Sequence, residues 1–246
     1  MNNRLINTKV AGGGGGCTDI VDNYDPFEGN GVALYQLNGD ATDVSGTYDG
    51  TAYGSLSYGA GVFGQAGDFQ GGQYIKNSSG YGILINNDQV KAVSVWFKLE
   101  GNLSGKNTVW SSGKPNAGDA YGILQIINGY LSADHWGGGY TIPANTYAIT
   151  PNTWYNIVYS GSDAYLNGTY WFSYGKALGV DSDTYGFYIG ANGAYDYGYI
   201  TQAIYGAPFN GKIDQVRIFN TALTPLEVEA LYIEESCLCG GTVDTL

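Results

Sequence analysis

The chain has 246 residues, enough for one large β-sandwich or two small domains, and at that size it can bury enough apolar surface to fold without covalent staples. Its net charge is −12 with only 10 Lys and Arg, a balance that repels phosphate and so excludes nucleic acid and anionic membranes as natural partners. The 40 Gly residues follow no period of three and, with 23 Tyr, suit many short strands joined by tight turns.

Residues 1–31 read as a flexible, Gly-rich arm that anchors the chain to a neighbour. Gly12–Gly16 is an unbroken glycine run, and Asp25-Pro26 and Gly29-Asn30-Gly31 are turn material. Met1–Val10 has no apolar core of export-signal type, and no run approaches the ~20 apolar residues of a membrane helix. Strands are expected from Val32, where Val32–Leu37 ends at Asn38-Gly39-Asp40. Gly67–Gln70 and Gln73–Ile75 flank Gly71-Gly72 and read as a hairpin. Ala92–Leu99 is the strongest strand, with Val93, Val95, Phe97 and Leu99 on one face. Asn128-Gly129 and Asn167-Gly168 are type I′ turn signals. The first joins Tyr121–Ile127 to Tyr130–Ser132, and the second joins Ala164–Leu166 to Thr169–Phe172. Thr153–Tyr159, Gly186–Gly190 and Lys212–Phe219 supply further strands. One helix is marked, from Pro225 to about Ile233. It opens on the capping box Thr224-x-x-Glu227 and carries Leu226, Ala230 and Leu231 as its apolar stripe.

The chain therefore divides into an arm (1–31), one all-β body (32–233) and a loose Cys- and Gly-containing tail (234–246). Strand and turn spacing predicts an antiparallel sandwich or barrel with one short C-terminal helix. Cys17, Cys237 and Cys239 lie in the two ends. They are free thiols or a clasp between Cys17 and one of the other two, and the sequence leaves both open.

Four blocks taken together resemble the laminin-G-like branch of the concanavalin A-like lectin/glucanase superfamily. They are Leu34–Gly46, Gly61–Gly71, Trp154–Val158 with Tyr165–Gly168, and Phe209–Asn220 running into Ala222-Leu223-Thr224. The resemblance implies a jelly-roll sandwich of two curved antiparallel sheets. It leaves function open, because members bind glycans or proteins and a minority are glycosidases. The ends, with Gly12–Gly16, Cys17, Thr18–Asp22 and Cys237–Thr242, are similar to structural proteins of tailed, particularly marine, phages.

Catalytic members of the superfamily carry Glu-x-Asp-x-x-Glu on one strand, which supplies the paired carboxylates of glycoside hydrolysis. This chain lacks that pattern, and Val93–Leu99 contains no acid, so no enzyme is expected. The lone His135 has no nucleophile elbow to serve and reads as a strand-end residue. Alternation puts Asp214 on the face of Val216 and Ile218, where a buried carboxylate needs a partner. The resemblance implies a structural Ca²⁺ held by Asp214 with Asp40 and Asp43; backbone N–H groups or a cationic side chain are the alternative. Glycans dock on aromatic rings, and the richest loops are Asp134-His135-Trp136 with Tyr140, and Tyr195, Tyr197 and Tyr199. A protein interface selects the same residues.

Two readings stand. In one, the chain is a non-catalytic phage virion structural protein of fibre or adhesion type, tied to other virion proteins by its arm and contacting host-surface glycans. In the other, it is a capsid or tail decoration subunit whose lectin-like fold makes only virion protein contacts. Both place it in the virion, with an extracellular location as the alternative. Both imply a homo-oligomer, by analogy a trimer.

Overall fold

In the computed structural model, the described residues are 20–77, 90–112, 121–136, 140–141, 147–173, 187–192 and 208–233. The first strands are β1 (Gly31–Tyr35), β2 (Gly50–Tyr53), β3 (Ser57–Ala60), β4 (Gln65–Gln70) and β5 (Tyr74–Asn77). The middle ones are β6 (Ala92–Leu99), β7 (Lys106–Ser112), β8 (Tyr121–Ile127), β9 (Tyr130–Trp136) and β10 (Tyr140–Thr141). The last are β11 (Trp154–Ser160), β12 (Asp163–Leu166), β13 (Thr169–Ser173), β14 (Phe187–Ile189) and β15 (Asn210–Phe219), before α1 (Pro225–Ile233). They form two antiparallel sheets. One of eight strands runs β13-β12-β11-β6-β15-β4-β3 with β1 also paired to β15; one of seven runs β10-β9-β8-β7-β14-β5-β2.

Between the sheets lies the main core. Val93, Val95, Phe97 and Leu99 enter it from β6, as their alternation requires, and meet Trp110, Phe187 and Ile189. Trp110 stacks on Phe187 at 5.6 Å between ring centroids. The Asn-Gly turns have the left-handed backbone that a two-residue I′ connection needs, with φ of 50° and 83° at Asn128-Gly129 and 50° and 74° at Asn167-Gly168.

The other face of β6 is buried as well. Ala92, Val158, Tyr165 and Phe219 pack outside the eight-stranded sheet against Leu223, Val228 and Leu231, with Ile20 and Phe27 laid alongside. The capping box forms as expected, with Thr224 N–H donating to Glu227 at 2.7 Å and Glu227 N–H to Thr224 at 3.3 Å. The buried stripe differs from expectation, because Leu226 is 65% exposed and Val228 takes its place.

Three further expectations are corrected. Gly71-Gly72 does not turn a hairpin: β4 lies in the eight-stranded sheet and β5 in the seven-stranded one, so the pair carries the chain across the sandwich. The first strand starts at Gly31, and residues 20–31 are a packed strap in place of a free arm. Arg217, fully buried, donates to the carbonyls of Ile20 at 2.7 Å and Val21 at 3.2 Å, and Phe27 sits 6.0 Å from Phe219. Finally, Asp214 does not share a face with Val216 and Ile218. Gln215, at φ 48°, is the extra residue of a β-bulge between Asp214 and Arg217, and the side-chain alternation slips there by one. Asp214 pairs with Trp96 on the outer face, while Ile213, Val216 and Ile218 all point into the core.

Candidate functional site

The acids singled out in the sequence serve as loop anchors. Asp214 is buried, and its Oδ2 accepts from the N–H groups of Val62 at 2.7 Å and Phe63 at 3.1 Å, pinning the β3–β4 turn to the last strand. Asp43, also buried, accepts from the N–H groups of Leu34, Ser45 and Tyr48 and from the Ser45 hydroxyl. Asp40 lies exposed on the turn after β1, where the hydroxyl and then the N–H of Thr42 hold its carboxyl below the usual range. Among the described residues, no group of three or more His, Cys, Asp or Glu side chains is placed to hold a metal ion.

The aromatic candidates divide. β9 and β10 are neighbours at one end of the seven-stranded sheet, with Tyr140 in register with His135 and Trp136 in register with Tyr121. Two of the singled-out residues, Trp136 and Tyr140, thus come onto adjoining strands. Tyr195, Tyr197 and Tyr199, like Cys17, Cys237 and Cys239, lie outside the described residues.

At the opposite end of the same sheet is a constellation that sequence reading missed. Tyr53 of β2 and Tyr74 of β5 are direct cross-strand partners, and their rings stack at 4.7 Å and 12°. Behind them Tyr188 of β14 is fully buried, 6.3 Å from Tyr74, with the Lys76 ammonium 5.5 Å from its ring centre. Tyr53 is 41% exposed. Nothing in the local sequence joins these residues, since β2, β5 and β14 are brought side by side only by sheet pairing.

A family model described as the concanavalin A-like lectin/glucanases superfamily matches residues 69–229. No curated protein matches the sequence. Among solved structures, domain 4 of AbnA, an extracellular GH43 arabinanase from Geobacillus stearothermophilus solved in complex with arabinotriose, is similar at TM-score 0.64. It shares 24% identity, and the match covers 81% of this chain and 97% of that one. The receptor-binding domain of botulinum neurotoxin C/D mosaic serotype is similar at TM-score 0.54 and 16% identity, over 82% of this chain and 50% of that one. A mutant Trypanosoma rangeli sialidase displaying trans-sialidase activity is similar at TM-score 0.56 and 15% identity, over 82% of this chain and 32% of that one. At these identities the likeness is one of fold.

Proposed function

The chain belongs to the concanavalin A-like lectin/glucanase superfamily, and on that premise we propose that it is a non-catalytic binding module whose sandwich contacts glycans. The observation that carries the reading is the employment of its buried acids. Asp43 and Asp214, the carboxylates buried in the described sandwich, are both engaged by backbone N–H donors that fix loops. A glycosidase needs instead two carboxyl groups facing one another across a cleft, about 5–9 Å apart. The strongest strand, β6, carries no acid. Aromatic residues lie at both ends of the seven-stranded sheet, and Tyr couples an apolar ring to a polar tip, as a wet saccharide contact requires.

In its finer form, the protein is a structural component of a phage particle that displays this module toward host-surface glycans. The likeness of residues 12–22 and 237–242 to phage structural proteins supports that form. The full chain applied to an immobilised glycan array should retain a defined set of glycans and leave them intact, with no new reducing ends. Cleavage of any retained glycan would make it an enzyme. Retention of none would move the reading to virion protein contacts.

A further inference from the structure

Building on the reading of the chain as a glycan-binding module, we propose that the stacked pair Tyr53–Tyr74, at the β2 edge of the seven-stranded sheet, is the docking platform for a ring of a neutral saccharide. Ile75, between Tyr74 and Lys76, enters the core, so Tyr74 and its partner Tyr53 stand on the sheet's outer face. The rings descend in exposure from the edge inward: Tyr53 is 41% exposed, Tyr74 half-buried, and Tyr188 fully buried. Each ring is backed by the next. Tyr53 is therefore held in place before any ligand arrives, which lowers the ordering cost of binding. One face of Tyr53 is covered by Tyr74, and its exposure belongs to the far face and the rim.

That far face suits a sugar. One side of a pyranose or furanose ring presents C–H groups and can lie flat on an aromatic ring, while hydroxyls project from its rim. β2 is the last strand of its sheet among the described residues. Alternate N–H and C=O groups along it point away from β5, the Gly50 N–H to the Ala41 carbonyl at 2.9 Å, and the sugar's hydroxyls would meet this side of the strand. The edge is four residues long and ends at Gly54, whose φ of 76° turns the chain. So short an edge is a poor template for an added peptide strand. Charge favours a neutral sugar: the chain carries −12, and the nearby cation, Lys76, lies over the buried Tyr188.

The full chain should be titrated calorimetrically with arabinotriose, xylotriose, cellotriose and galactotriose, alongside Tyr53→Ala, Tyr53→Phe and Trp136→Ala variants. Melting temperature and oligomeric state should be recorded for each. The expected result is that Tyr53→Ala weakens the bound saccharide about tenfold, while Tyr53→Phe, which keeps the ring, binds as the parent does. Loss of binding in Trp136→Ala with Tyr53→Ala unchanged would overturn this platform and leave the glycan reading standing. No binding of any of the four by the parent chain would overturn both. A change of oligomeric state in Tyr53→Ala without any change in saccharide affinity would assign the edge to a second copy of the chain.

Discussion

Tyr35 shows how a single buried hydroxyl is committed. It donates to the Tyr48 carbonyl at 2.6 Å, and the Asn77 amide donates to the same carbonyl at 2.8 Å and to the Tyr35 oxygen at 3.4 Å. Burial pushes the hydroxyl well above the usual phenol range; the Asn77 hydrogen bond pulls the other way, and Asp43 and Asp49 add to the rise. A folded-state pKa above the unfolded one gives stability that is complete below the unfolded value, near 10.0, and is lost as pH rises from there toward the folded value. Burial raises Tyr58, Tyr147 and Tyr165 in the same direction, so the decline is shared. Tyr35→Phe should cost about 1–2 kcal/mol at neutral pH, because the bond to the Tyr48 carbonyl and the one from the Asn77 amide are both lost, while Asn77 still serves the Tyr48 carbonyl. It should also flatten the alkaline decline. Urea unfolding of both proteins at about pH 7 and about pH 11 measures this, and a parental pH slope in the variant would remove Tyr35 from the account.

Elements are decided by what covers them. The strap at residues 20–31 has little local propensity, yet three features hold it. The Asp25 carboxylate accepts from the N–H groups of Gly29, Asn30 and Gly31 at 2.7, 2.9 and 2.7 Å, which folds the strap on itself. Arg217 takes the Ile20 and Val21 carbonyls, and Ile20 and Phe27 cover the outer cluster around Phe219. A chain beginning at Val32 would expose Phe219 and leave the Arg217 guanidinium without those two carbonyls. It should lose at least about 3 kcal/mol, and its melting temperature should fall by roughly 6–12 °C. A chain beginning at Ile20 keeps all three features and should melt as the parent does. An equal melt for the Val32 chain would restore residues 20–31 to the status of a free arm. The composition of this strap, rich in turn residues, reads as flexible because its partners stand almost two hundred residues away (Arg217 to Ile20, 217 − 20 = 197).

For the whole molecule, two buried carboxylates anchor loops of the sandwich. Asp43 ties the first strand to the turn that follows it, and Asp214 ties the last strand to the β3–β4 turn. Asp214→Ala, which removes the acceptor of the Val62 and Phe63 N–H groups, should cost about 1–3 kcal/mol of stability in urea unfolding, and a parental stability would remove Asp214 as an anchor. A melting temperature that falls in EDTA and recovers with added Ca²⁺ would support a structural cation at these acids, and an unchanged one would remove it. By itself the sequence determined the all-β class, the Asn-Gly turns and the capped helix. Each of these is written in residues adjacent to one another, through left-handed backbone preference, side-chain alternation and a cap three residues from its partner. Only the tertiary structure decided the course of β4 and β5 into different sheets, the face of Asp214, the packing of the strap and the Tyr53–Tyr74–Tyr188 ladder. Those features arise from pairing between distant strands, and a one-residue bulge such as that at Gln215 inverts every side-chain direction beyond it without a mark in the local pattern.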